Sequence, residues 1–311
     1  MLLKNAKLGI APLTWTNDDK PEIGKENTFA QCLSEMALAG YEGCEIGSQF
    51  PKDIETLKFE LELRGLRIAN QWFSFTATCD TVSAVQEAFL KHIRFLKALG
   101  TNIVGGGEFG RSIVALESVP IVNETQPSRP ILTAAEWKTF AERIEALGKI
   151  AYNEGMTLCF HHHMGTCVET VEETERLLND CDSKYVSLNY DSGHFYFAGA
   201  NPLSALKKFV TRVSHVHLKN VRPEVLATVK TQKLSFLAAV MAGIFTIPGD
   251  SAGAIDFKEL FYVLDAIKNS GTDHNSYSNW LIVEAEQDPR KAHPLKTALS
   301  ARAYLKETLG H

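Results

Sequence analysis

Short runs of β-type residues alternate with helical patterns along the whole chain. The apolar and polar positions predict strands near 7–12, 42–46, 67–73, 102–107, 156–163, 185–191, 213–219 and 280–286. Amphipathic stretches lie between them. The segment 27–39 stops at Gly40 and the segment 80–99 at Gly100, where a glycine suits a helix C-terminus. Thr133 and Glu136 have capping-box spacing, and the helix they open runs to Gly155. Asp256 to Glu259 opens another helix, and 294–308 reads as a last one. Eight strand-then-helix units in a chain of 311 residues predict an α/β protein of the (β/α)8 TIM barrel type. An open doubly wound sheet is the competitor. It is disfavoured because no G-x-G-x-x-G follows the first strand. The run "GGGEFG" (105–110) has other spacing and reads as a place where backbone turns sharply or approaches a ligand.

Composition narrows the picture. Hydrophobic residues make up 45% of the chain, enough for one large core, so residues 1–311 are expected to form a single barrel. Its long loops fall at about 108–132 and 220–255, lengths that suit lids or binding loops. The net charge is −5 without a block of like charges, so no nucleic-acid footprint is expected. Six scattered cysteines with no CxxC suit reduced thiols in a cytoplasmic protein. The start lacks the apolar core of a signal peptide, and no run reaches membrane-span length. A homo-oligomer stays open.

Side chains alternate across a strand, so in a barrel one parity faces the helices and the other the interior. In 157–163, Leu158 and Phe160 should face the helices, with Cys159, His161 and His163 inward and His162 outward. The same count turns Ser187, Asn189 and Asp191 inward, then His215, His217 and Lys219, then Ile282, Glu284 and Glu286. Four successive strands thus end in inward histidines or acids at the C-terminal rim, where barrel enzymes place their chemistry. One inward histidine is usually a hydrogen-bonded core residue, and one strand-end acid is often a cap. Four in matching register point to a bound divalent cation, because unpaired ionisable groups are costly to bury. Nitrogen and oxygen ligation without thiolate suits manganese, cobalt, iron or zinc.

These motifs resemble the xylose-isomerase-like barrels, and within them the inosose dehydratase family. The resemblance covers nearly the whole chain. It is carried by "GIAPLTWTNDD" (9–19), "NQWFS" (70–74), "HHHMGT" (161–166) and "NYDSGH" (189–194). Most specific are "HVHLKNVRPEV" (215–225), "SFLAAVMAGIFTIPGD" (235–250) and "VEAEQDP" (283–289). It implies a metal held by Glu, Asp, His and Glu from strands five to eight. Asp191, His217 and Glu284 match the last three, and His161 stands where the superfamily has its first Glu. It also implies a substrate-contacting histidine at His194. The "GDSAGAIDF" loop (249–257) is longer than the family pattern and is expected to shape the entrance.

The implied activity is a manganese- or cobalt-dependent lyase, zinc and iron being possible. It dehydrates 2-keto-myo-inositol to a trihydroxycyclohexane-dione, with a polyol ketone as the small-molecule partner. The chemistry needs a proton taken from the carbon alpha to the carbonyl and a proton given to the departing beta-hydroxyl. His163, His194, Glu286 and Glu45 are the acid/base candidates, and Lys219 is the candidate enolate stabiliser or a salt bridge to Glu284 or Glu286. Trp15, Asn17, Gln71, Trp72 and His215 are candidate substrate contacts, core packing being the plainer reading of both tryptophans. A sugar or cyclitol isomerase or epimerase would use the same enediolate. A DNA-repair nuclease would need a basic surface that this composition lacks, and a sugar-binding protein would leave so many ligand-type residues without a task.

Overall fold

The computed structural model describes residues 2–123, 125–268 and 279–310, without the side chains of 267 and 268. In chain order, β1 (Lys7–Ile10) leads to α1 (Phe29–Leu38), and β2 (Gly43–Ile46) to α2 (Ile54–Glu62). Then β3 (Arg67–Gln71) leads to α3 (Val82–Ala98), β4 (Ile103–Gly106) to α4 (Ala134–Asn153) and β5 (Thr157–His161) to α5 (Val171–Asp180). Two helices, α6 (Ser192–Phe197) and α7 (Pro202–Phe209), follow β6 (Val186–Asp191). After β7 (Val213–Leu218) the chain makes a small excursion: β8 (Asn220–Val221), α8 (Pro223–Gln232), α9 (Phe236–Ala242) and β9 (Phe245–Thr246). It returns through α10 (Phe257–Lys268) to β10 (Trp280–Val283), and α11 (Pro294–Leu309) follows.

The eight long strands form one parallel sheet in the order β3-β2-β1-β10-β7-β6-β5-β4. Its two edges meet beyond the strand ends, where Phe73 N–H donates to the Gly105 carbonyl at 3.0 Å and Phe75 N–H to that of Gly107 at 2.8 Å. The open-sheet alternative is thereby set aside, and the glycines of 105–107 find their explanation. A Cβ at Gly106 would sit 1.8 Å from the Phe73 carbonyl oxygen, and one at Gly107 would sit 2.9 Å from that of His161. These residues let the chain approach itself, so the seam closes.

The helices start where the polar punctuation predicts. Thr133 accepts from the Glu136 N–H, and Glu136 reaches back to the Thr133 N–H, completing the capping box. Thr170 and Glu173 form a second one at α5. The parity count also matches the packing. Leu158, Phe160, Val186, Leu188, Val216, Leu218, Leu281, Val283 and Ala285 all join the core between sheet and helices. Ile282 instead meets Ala11, Ala69 and Trp280 inside the barrel. One register shift, between Leu188 and Asn189, sets Asp191 directly beside His217.

The long loops are packed rather than free. Ile113, Val114 and Ile121 join Phe197, Phe236 and Phe245 in a second apolar cluster. The 249–257 loop is pinned by Asp250, which accepts from Arg222 at 2.6 Å, and by Ala254 N–H on the Val221 carbonyl. None of its residues lines the barrel mouth, so the expected reshaping of the entrance does not occur there. No helix among the described residues is long and apolar enough to cross a membrane.

Candidate functional site

The C-terminal ends of β5, β6, β7 and β10 bring the inward ionisable groups together. His161 Nε2 lies 3.4 Å from Asp191 Oδ2, and His217 Nδ1 lies 3.7 Å from the same oxygen. His217 Nδ1 also meets Glu284 Oε2 at short range. His161, Asp191 and His217 each offer a ligand atom within 4.8 Å of the others. The far nitrogen of His217, Nε2, is 3.2 Å from Glu45 Oε1. That pairing leaves Nδ1 toward the acids as the ligating atom, the way a carboxylate fixes the tautomer of a metal-bound imidazole.

All of these groups are nearly inaccessible to solvent. Burial works against ionising Asp191, but Lys219 and its other neighbours hold it well below the usual carboxylate range. Glu284 is likewise disfavoured by burial, yet the His217 and Lys219 charges bring it down to about 2. Burial also opposes Glu45, and His217 and His215 hold it down. Against these three carboxylates stands the Lys219 ammonium, so two negative charges remain to be balanced. His217 feels that demand: burial disfavours its charge, but Glu284 and Glu45 raise its pKa well above the normal value. Burial keeps His161 low and neutral, and its Nδ1 has no hydrogen-bond partner among the described residues. A buried set of two imidazoles and two carboxylates with a surplus of negative charge fits a divalent cation.

Lys219 ties the metal-type ligands to the rest. Its Nζ lies 2.8 Å from Glu286 Oε2, 3.0 Å from Glu284 Oε1, 3.5 Å from Asp191 Oδ2 and 3.0 Å from His194 Nε2. Burial pushes the Glu286 carboxyl up to about 7 against the pull of that ammonium. Burial pushes His163 down to about 3 and His194 well below its normal value, so both rings are neutral.

Above these groups opens a cavity of about 230 Å³. Its wall includes His163, Glu284, Glu286 and Glu45, with Trp72, Phe109 and Ser74 on the apolar side and Asp18 and Asp19 on the rim. Trp72 stands edge-on to Phe109, His161 and His163 at 5.5, 5.1 and 6.1 Å.

The remaining sequence candidates are placed differently. Trp15 is fully buried in the outer core and donates its indole N–H to Glu35 at 2.6 Å, so it does not reach the mouth. The reason is the 3₁₀ turn Pro12–Thr14, which breaks the strand alternation just before it. Asn17 turns its side chain onto the N–H groups of Asp19 and Lys20, and Gln71 is not on the cavity wall. His215 lies below the cavity and pairs with Glu45 at 2.8 Å. Glu45 does line the cavity, but Oε1 serves His215, His217 and, at 3.3 Å, Asn70. A carboxylate held down by two imidazoles is poorly suited to donate a proton. His194 stands behind the wall, with its ring 4.0 Å from that of His163. Sequence reasoning passed over Asp19, Phe109 and Ser74. The first could have been found in "NDD" (17–19), which lies in the loop between the first strand and the first helix, at the end of the barrel where the other chemistry lies.

Residues 33–308 match the family described as xylose isomerase-like TIM barrel. The chain belongs to that family. It is 48% identical over 307 residues to an inosose dehydratase of Clostridium perfringens, covering 99% of each chain. It is 47% identical over 304 residues to one of Geobacillus thermodenitrificans, covering 98% of this chain and 97% of that one. Among solved structures, it resembles the IolI protein with a bound zinc atom at a TM-score of 0.68, 18% identity and 98% coverage of both chains. It also resembles the probable 3-DHS dehydratase AsbF from Bacillus anthracis, at a TM-score of 0.68, 15% identity and coverage of 96% and 98%. At those identities the solved structures speak to the fold alone.

Proposed function

We propose that this protein is a hydro-lyase that dehydrates 2-keto-myo-inositol to a trihydroxycyclohexane-dione, as an inosose dehydratase does. The observation that carries the reading is the relationship to proteins of that name, 48% identical along 99% of both chains. The site supports it, because the cavity opens onto Glu284, Glu286, Glu45 and His163, and the rest of the cation-demanding set and the Lys219 ammonium are buried in contact with those acids.

His161 Nε2, Asp191, His217 Nδ1 and Glu284 would hold the divalent cation, manganese or cobalt in this reading and zinc or iron as alternatives. Bound there, it supplies Lewis acidity toward a ketone oxygen and a neighbouring hydroxyl. Glu45 takes the His217 Nε2 proton in a hydrogen bond and keeps Nδ1 directed at the site. Trp72 and Phe109 offer the C–H face of a sugar-like ring an apolar wall and exclude water from it. Glu286 lies on the cavity wall beside Lys219, where it can take the proton alpha to the ketone. The Lys219 ammonium, 2.8 Å from Glu286, faces the negative charge that this transfer leaves on the substrate. His194 positions that ammonium. His163 Nδ1 donates to the Met164 carbonyl at 2.7 Å, leaving Nε2 as an acceptor for a substrate hydroxyl.

The test is incubation of the purified protein with an inosose and each divalent metal in turn, reading the product mass. A product lighter by one water is expected with manganese or cobalt. An isomer of unchanged mass would show an epimerase or isomerase instead, and no product with any ion would end the proposal.

A further inference from the structure

This inference rests on the dehydratase reading and deepens it. Elimination needs a second proton transfer, to the departing hydroxyl, and the wall groups named so far are otherwise engaged. Glu45 is bound to two imidazoles, Glu284 to His217 and Lys219, and Glu286 to Lys219.

The loop after β1 presents another carboxylate. Asn17 Oδ1 accepts from the N–H of Asp19 at 2.9 Å and of Lys20 at 2.8 Å, folding the chain into a tight side-chain-closed turn. Both flanks of Asp19 are fastened. Asp18 accepts from the Ser48 N–H at 3.1 and 3.2 Å and from its hydroxyl at 2.7 Å. Lys20 reaches Glu117 at 2.7 Å. Between these anchors the Asp19 side chain lines the cavity and makes no hydrogen bond or ion pair with any described residue. A loop held at three points around one unengaged acid is a geometry for presenting that acid.

We propose that Asp19 is the catalytic group that protonates the departing beta-hydroxyl. The Asp19 O–H bond breaks, its proton joins the hydroxyl oxygen, and the carbon–oxygen bond breaks to release water. The carbon–carbon double bond forms from the electron pair left at the alpha carbon. The Asp19 carboxylate then recovers a proton from solvent at the rim. Asn17 and Asp18 are positioning residues for this step. Asp19 stays exposed at the rim, where partial desolvation by the surrounding wall and then the Asp18 charge raise it to about 6 while Lys219 pulls the other way, and the exposure leaves it open to proton exchange with solvent. Asp18, Glu284, Glu286, Glu45 and His163 are the other titratable groups on the same cavity wall.

The test separates the two proton transfers. Metal-loaded wild type and Asp19→Asn are given the inosose in heavy water, and NMR follows alpha-proton exchange and water loss separately. Asp19→Asn should eliminate about 100-fold more slowly, the lower end of what a general acid contributes, while it still exchanges the alpha proton. Thermal melting checks that the variant is folded. Elimination at the wild-type rate would overturn the assignment, and so would exchange and elimination falling together. A wild type that neither exchanges nor eliminates would overturn the dehydratase reading and this step with it.

Discussion

The two halves of the barrel mouth use opposite kinds of residue. From β5 to β10 the inward positions carry long polar side chains: His161, Asn189, Asp191, His215, His217, Lys219, Glu284 and Glu286. From β1 to β4 they are mostly small. A Cβ at Gly9 would lie 2.6 Å from Ile282 Cδ1, one at Gly43 2.5 Å from Trp280 Cη2, and one at Gly105 2.9 Å from Asn70 Nδ2. The small half makes room for the side chains of its neighbours. Glu45 and Asn70 are exceptions: Glu45 reaches across to His215 and His217, and Asn70 donates to it at 3.3 Å. One half bears the charge, and the other gives it space and an aromatic wall.

Breaking the charged half should have the largest effect. Asp191→Asn and Glu284→Gln are each expected to abolish dehydration, at least 1,000-fold in kcat, and to weaken metal uptake measured by equilibrium dialysis; this scale is about 4 kcal/mol. Next comes the seam of the small half. Gly106→Ala forces a methyl against the Phe73 carbonyl and should cost about 3 kcal/mol in urea unfolding, the upper range for overpacking. Glu45→Gln tests the crossing between the halves. It should weaken metal affinity about 10- to 100-fold with the fold retained, as loss of a carboxylate behind a metal-bound histidine does.

The smallest effect concerns Asp19 and pH. Its folded pKa, about 6, lies above the ordinary value of 3.8. A raised carboxyl favours folding while protonated, and that contribution is lost as pH rises through about 6. The Asp19 side chain is exposed, so solvent screens the effect; Asp19→Asn should melt only slightly higher than wild type at pH 8, and the difference should vanish as the pH is lowered to about 4. A difference independent of pH would contradict the origin assigned to the shift.

These elements also show how far the chain could be read before its structure was known. The inward acids and imidazoles were legible because strand parity is strict and the apolar partners Leu158, Leu188, Leu218 and Val283 fix its phase. The barrel itself followed from the same alternation. What the pattern hid depends on contacts distant in sequence or on broken periodicity. Trp15 follows a 3₁₀ turn, so counting by two fails there. Asn17 closes a local turn around Asp19, but Ser48 and Glu117, which fasten its flanks, lie far along the chain and no local rule connects them. The run 105–107 announced a close approach but not that the segment just after β3 and the end of β5 are what approach. Glu45 was visible as a strand-end acid, while its partners lie about 170 residues away.

The central claim is that His161, Asp191, His217 and Glu284 converge on one cation. Its most direct test is to load the metal-free protein with cobalt and record the visible spectrum and bound metal for wild type and Asp191→Asn. One tightly held cobalt per chain with mixed nitrogen and oxygen ligation is expected, largely lost in the variant. Cobalt that does not bind, or that binds with the same spectrum and affinity in both proteins, would contradict it.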